Sequence, residues 1–447
     1  MKQTTSCNVK INGINHLFDE TIFVHRRAVA FFVSVCYKNR DLLLSIRGEN
    51  RRRNHLEKLC WETKKNPNPD FSFGDECEAF RKMPSYLRRA AESAALGIWE
   101  SYESNHLNWE KTHQGGEPKL PEHVPQVYPV MYRGNMFRDT EDGCSEIKVS
   151  VKGEWIWVKL NMQKSDLRHL KKVSEGCSVS APRLVRHGSR WKLVYSIEKE
   201  INLKNKPVHE QKIAAVDFGI NNAAVISIML PDGTLEDRKF ISFPCENDRL
   251  DKQLGRIKKA QKNGAVSTPR LWGCANGTNH DISMKTAKAV VDYAADHECD
   301  VIVFEYLDTN GKKHGSKKQR LHLWRKSETQ KITECLAHKA GIRVSHVNAY
   351  GTSRLAFDGS GRVLRGKEIA DGVPYDICRF STGKVYNCDL NASYNIGARY
   401  FVREILKTLP ETERLAVQAK APAYAKRTLC TLSDLISLNQ VVYAEAA

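Results

Sequence analysis

The stretch Ile213-Ala-Ala-Val-Asp-Phe-Gly-Ile220 runs through four apolar residues and then breaks to an acid, Asp217. The same construction returns at Val301-Ile-Val-Phe-Glu-Tyr306, where Glu305 follows the apolar run. Short continuous runs of this kind suit strands buried on both faces of a sheet. A carboxylate that closes such a strand is costly to desolvate unless a cation or a donor meets it. A third acid, Asp389 in Tyr386-Asn-Cys-Asp-Leu-Asn-Ala-Ser-Tyr394, stands just before a helical pattern over residues 390–407. Read singly, each has a bland explanation: Asp217 starts a turn, Glu305 is a strand-end surface acid, Asp389 caps a helix. Read as a set, two strand-end acids and one helix-start acid supply hard oxygen ligands for Mg²⁺. Two such ions can clamp the attacking and leaving oxygens of a phosphodiester.

Charge points the same way. Seventy Lys and Arg against 52 Asp and Glu leave a net +18, which suits a polyanionic partner. No apolar run approaches the roughly 20 residues that span a bilayer, so no membrane partner is expected. The opening MKQTTSCNVK lacks the apolar core of a signal peptide. Thirteen cysteines without framework spacing fit reduced thiols and a cytoplasmic, nucleoid-associated protein of prokaryotic type. The length predicts roughly two to four domains.

Along the chain, residues 1–20 hold a short strand, and 21–125 read as helices ending in a linker rich in Gly, Glu and Pro. Leu87, Ala90, Ala91, Ala94, Ile98 and Trp99 recur at helical spacing behind Pro84. From 126 to 206 the period falls to two: Ile147, Val149 and Val151 alternate with polar residues, and hairpin signals follow at Gly153 and at Gly188-Ser189. Residues 207–409 carry the three acids. Within them, 247–262 reads as a basic helix with Arg256, Lys258 and Lys259, and Ser283 reads as the N-cap of the next helix. Seven basic residues and no acid fill 310–326, among them Lys312, Lys313, Lys317, Lys318, Arg320 and Arg325. Such a run is either a phosphate-contacting loop or a solvated one. Arg354 is placed to reach a scissile phosphate. Asn391 either orients Asp389 or completes the helix cap, and Arg399 lies two turns beyond it on the same face. Residues 410–447 read as an appended helical tail.

The blocks Ala215-Val-Asp-Phe-Gly-Ile-Asn-Asn, Val301-Ile-Val-Phe-Glu-Tyr-Leu and Asp389-Leu-Asn-Ala-Ser-Tyr-Asn-Ile-Gly-Ala resemble the split RuvC-type nuclease motifs of the TnpB family and of the compact type V CRISPR effectors. Pro84-Ser-Tyr-Leu-Arg-Arg-Ala resembles a segment of that family's recognition lobe, and Lys317-Lys-Gln-Arg-Leu-His-Leu-Trp a segment between the second and third nuclease motifs. The resemblance implies an α+β multidomain chain: a helical recognition lobe, a small β-barrel wedge domain and an RNase H-like (RuvC) α/β nuclease domain. It also implies two CxxC pairs that form a zinc ribbon. Here Ala356 and Gly359 stand at the first pair and Cys378 and Ser381 at the second, so the segment 352–386 is a degenerate ribbon. A tetrahedral structural zinc needs four N or S ligands, and none is expected.

The activity so implied is RNA-guided cleavage of target DNA, with Asp217, Glu305 and Asp389 as catalytic metal ligands. Two Mg²⁺ ions serve (Mn²⁺ substituting), and the partners are a guide RNA and double-stranded DNA carrying a short flanking motif, with one protein per guide. Two other readings stand beside it: an RNA-guided binding repressor with little or no cleavage, and an unguided RuvC-like nuclease.

Overall fold

The computed structural model describes all residues except 14–15, 77, 114, 125, 140–143, 220–221, 307–325, 421–422, 425–427 and 444–447. The chain divides into two compact units. Residues 2–200 form one, and residues 201–447 with Met1 form the other.

In the first unit, helix α1 (Asp19–Lys38) presents Ile22, Ala28, Val29, Phe32 and Cys36 to a buried core. It shares that core with α2 (Glu49–Cys60) and with α3 (Ser85–Thr112), which Pro84 caps as expected. Helix α3 buries Leu87, Ala91, Leu96 and Trp99. Strand β1 (Lys2–Ile11) pairs antiparallel with β7 (Arg190–Glu200) over its whole length, from Lys2 opposite Glu200 to Ile11 opposite Trp191. On its other edge β7 takes β5 (Ser178–Val179) and β6 (Arg183–His187). A separate sheet holds β2 (Phe137–Asp139), β3 (Ser145–Val151) and β4 (Glu154–Leu160). The Lys152-Gly153 turn between β3 and β4 has φ of 51° and 82°, the pair of left-handed residues that two-residue hairpins favour.

The expected closed barrel does not form among the described residues. Beyond β4 a single bridge, Ile11 to Met162, joins β1, and helix α4 (Lys164–Val173) then packs against that strand, with Asp166 accepting from the Lys10 amide at 3.1 Å. Two sheets therefore share one core with the helices, and neither closes on itself.

The second unit is built on a five-stranded sheet in the order β10-β9-β8-β11-β12. Its strands are β8 (Ile213–Asp217), β9 (Ala224–Met229), β10 (Leu235–Ile241), β11 (Val301–Tyr306) and β12 (Arg343–Asn348). The first three form an antiparallel meander, and β11 and β12 run parallel to β8. Alternation along β8 splits the two faces. Ala214 and Val216 pack with Val290 and Ala294 of α6 (Pro269–Asp296). Ile213 and Ala215 pack with Ile396, Phe401 and Ile405 of α8 (Cys388–Thr408).

Helix α5 (Pro244–Lys262) docks on α6 through Leu254 and Ile257 against Ala275. Ser283 is not a cap: α6 begins at Pro269, fourteen residues earlier, and the buried Ser283 hydroxyl donates back to the Asn279 carbonyl at 3.2 Å. Helix α7 (Lys326–Lys339) precedes β12. The tail is no appendage, because α9 (Leu432–Tyr443) inserts Leu432, Leu435 and Leu438 into the same core as α8. No helix among the described residues is long and apolar enough to cross a membrane.

Candidate active site

Register decides where the acids meet. Val216 pairs with Phe304, so the next step of the two parallel strands sets Asp217 beside Glu305. Period-two alternation then puts both acids on the face of Ile213, Ala215, Val301 and Val303, the face that α8 covers. Asp217 is 9% exposed and Glu305 6%.

Helix α8 brings the third acid to this edge. Asn387, rather than Asp389, is its N-cap: the Asn387 side chain accepts from the backbone N–H of Asp389 and of Leu390, both at 3.0 Å. Asp389 thus sits in the first turn with its carboxylate released from capping. That carboxylate lies against Gly219, where an added Cβ would stand 3.3 Å from Asp389 Oδ2 and 2.8 Å from the Asn222 carbonyl. Only glycine fits between them. Gly397 plays the same part farther along α8, since a Cβ there would meet Met229 Sδ at 2.8 Å and Ala215 at 3.2 Å. Close approach of helix to sheet is what brings Asp389 within reach of the strand ends. Burial raises the Asp389 pKa, and a hydrogen bond from Asn222 and the charge of Arg365 partly offset the rise.

The segment after β12 fastens Glu305. Thr352, 2% exposed, donates its hydroxyl to Glu305 Oε1. Its own carbonyl accepts from Asn395 of α8 at 2.9 Å. Asn391 of α8 donates to the Leu355 carbonyl at 2.8 Å and accepts from the Phe357 amide at 2.9 Å. Asn391 therefore ties down the 355–357 loop. Asn395 and Thr352 were not among the candidates, yet the i, i+4 spacing of two asparagines on an apolar helix is itself a signal of a buried polar stripe.

The remaining candidates lie elsewhere. Arg354 is exposed and paired with Glu368 at 3.2 Å. Arg399 is buried: its Nε donates to the Cys430 carbonyl at 3.0 Å and its Nη1 to the carbonyls of Asn348 and Tyr350 at 2.8 Å. Burial pushes its pKa down to about 10. In this arrangement it clamps the backbone. On α5, Arg256 lines an open groove with Arg249 and Lys252, and Lys258 and Lys259 are exposed beside it. Lys312, Lys313, Lys317, Lys318, Arg320 and Arg325 lie outside the described residues.

The segment where the resemblance implies a degenerate ribbon carries a three-stranded sheet of β13 (Leu364–Arg365), β14 (Ile377–Arg379) and β15 (Val385–Asn387). Ala356, Val363, Cys378, Phe380 and Cys388 form its small core. The Ser381 hydroxyl donates to the Ser360 carbonyl at 2.6 Å, linking the two turns where the cysteine pairs would stand.

Three carboxylates at one sheet edge make a donor set that fits a hard divalent cation. Their present spacing is open: among the described residues no three His, Cys, Asp or Glu side chains are gathered tightly enough to enclose a metal ion. Thr352 draws Glu305 one way, while Asn222 holds Asp389.

Comparisons with known proteins agree with the motifs. Residues 3–151 match the Aq_aa04 family. A TnpB-like protein, aq_aa05 of Aquifex aeolicus (strain VF5), is 24% identical over 241 residues, covering 48% of this chain and 76% of that protein. The fold resembles that of a Cas12f1 in complex with sgRNA and target DNA, at 15% identity and a TM-score of 0.54 over 86% of this chain and 81% of that one. It also resembles the mini-RNA-guided endonuclease CRISPR-Cas_phi3, at 11% identity and a TM-score of 0.50 over 89% and 92%. By sequence the chain is similar to a TnpB-like protein, and its fold is similar to those of compact type V CRISPR effectors.

Proposed function

We propose that this chain is an RNA-guided DNA endonuclease that hydrolyses phosphodiesters with divalent metal ions. The observation that carries the reading is the arrival of Asp217, Glu305 and Asp389 at one edge of one sheet, on one face, in a chain of net charge +18. Its relatives by name and fold include a TnpB-like protein and a Cas12f1 bound to sgRNA and target DNA. The partners proposed here are a guide RNA and a DNA duplex with a short flanking motif, one protein serving each guide. Guide pairing reads the sequence, so the protein recognises only the flanking motif and the heteroduplex shape.

Asp217, Glu305 and Asp389 would hold two Mg²⁺ ions, or Mn²⁺ in their place. Bound there, the ions would supply an activated water and charge stabilisation for the departing oxygen. The protein's own part is positioning. Gly219 and Gly397 let α8 approach the strands, Asn387 frees Asp389 from the cap, and Thr352 orients Glu305. Burial makes the Asp389 carboxylate costly to keep charged, and a bound cation would offset that cost.

The test is to sequence the RNA that copurifies with the protein and challenge the complex with matching DNA and Mg²⁺, beside Asp217→Ala. Cutting that needs both the guide match and Asp217 supports the proposal. Defined RNA with tight binding and no cutting would replace it by a guided repressor. Cutting by protein that carries no defined RNA would leave an unguided nuclease.

A further inference from the structure

Two tyrosines at the edge that carries the acids are left in solvent. Tyr306 follows Glu305 directly and is 70% exposed. Tyr350, also 70% exposed, lies two residues beyond Asn348, which pairs with Tyr306 across β11 and β12. Alternation turns Tyr306 to the α6 face, away from Glu305, although their Cα atoms are only about 3.8 Å apart.

The backbone under Tyr350 is fixed. Its N–H donates to Asn348 Oδ1 at 2.8 Å, and its carbonyl accepts from the buried Arg399 at 2.8 Å. The same guanidinium nitrogen also donates to the Asn348 carbonyl at 2.8 Å. An exposed aromatic ring on an immobilised backbone loses little entropy on binding, which is the signature of an anchor and a poor fit to a surface accident. Singly exposed apolar residues need no explanation. Two large exposed rings at the sheet edge that carries the carboxylates, one of them on a backbone held by a buried arginine, do.

We infer that Tyr306 and Tyr350 form a stacking platform for the unpaired bases on either side of the phosphate offered to the acids. The ligand class is single-stranded nucleic acid without sequence preference, and the inference rests on the nuclease reading above. Stacking accepts every base, because every base has a π-face. That tolerance is what a guided enzyme requires of the strand it cuts, since the guide has already read the sequence.

The test measures binding of the full-length protein to two single-stranded DNA oligonucleotides, one with all its bases and one abasic over its central nucleotides. Wild type should prefer the base-bearing strand by about ten-fold or more. The Tyr306→Ala/Tyr350→Ala double variant should bind both strands as wild type binds the abasic one, and Tyr306→Phe/Tyr350→Phe should restore the preference. Should the alanine variant fold poorly, Tyr306→Leu/Tyr350→Leu keeps apolar bulk without a ring and answers the same question. A preference unchanged in the variants without rings overturns the platform, as does a wild type that shows none. The readout is independent of cutting: a protein that cuts guide-matched DNA but shows no ring-dependent base preference refutes the platform alone. One that shows the preference but never cuts refutes the nuclease reading alone.

Discussion

Glu92 and Asp389 are buried carboxyl groups in different units, and burial raises the pKa of both. Glu92 lies inside the first unit, 0% exposed, with neither oxygen hydrogen-bonded and Arg88 Nε 3.7 Å away. Its pKa is pushed up to about 8 by desolvation and by the neighbouring charge of Glu57. At neutral pH it is mostly a protonated, neutral filler in a helical core. Asp389 is only half-buried, at an open sheet edge beside two further acids, with Asn222 donating to it. The same desolvation cost has two remedies, a proton where the site is sealed and, on the proposed reading, a cation where it is open. A raised carboxyl pKa therefore does not mark an active site; its neighbours do.

Asp389→Asn should produce the largest effect. Guide-dependent cleavage should fall by about 10³-fold or more, judged by the cost of removing one group that stabilises developing charge. The melting temperature without metal should hold or rise, because a carboxylate whose burial is only partly offset has been removed. A drop in melting temperature would mean that Asp389 is structural, like Glu92.

Thr352→Val should come next, lowering cleavage about 10- to 100-fold and weakening the dependence on added metal, the range expected for a group that orients a ligand. Thr352→Ser should regain most of the loss. Equal loss in both variants would show that packing, and not the hydroxyl, matters there.

Glu92→Gln should leave cleavage unchanged but alter the pH dependence of stability. A carboxyl whose folded pKa near 8 lies above its ordinary 4.5 binds its proton more tightly when folded. Its contribution is thus complete below about pH 4.5 and is lost as pH rises through 8. Thermal melts of wild type between about pH 4 and 9, bracketing that window, should show a decline that the variant lacks. Parallel curves would break the comparison. The smallest effect belongs to Ser381→Ala in the segment that carries β13 to β15, where one exposed hydrogen bond is lost and about 1 kcal/mol or less of local stability with it.

The strands that carry Asp217 and Glu305 were legible because an apolar run ended by an acid is a local pattern. The start of α8 was legible to within two residues, since helical periodicity is local too. The sequence leaves the cap of α8 open because Asn387 and Asp389 are both good caps, and only the accepted bonds separate them. Thr352 could not be linked to Glu305 from sequence, because the two lie 47 positions apart. The barrel was over-read for a related reason. Alternation identifies a strand but says nothing about which edge it joins, and the single Ile11–Met162 bridge is invisible in composition. The tail looked detachable because the partners of Leu435 and Leu438 are in α8, well upstream in the chain.

That last point bears on how the protein could be made smaller. Compact nucleic-acid enzymes invite trimming, and a terminal helix is the usual place to begin. Here Arg399 donates through Nε to the carbonyl of Cys430 and through Nη1 to the turn that bears Tyr350. Deleting the chain from Cys430 onward would leave a buried guanidinium short of an acceptor and free to pull that turn out of place. Size reduction is better sought in the exposed loop between α5 and α6, where Val266 is fully in solvent and no core residue would be lost.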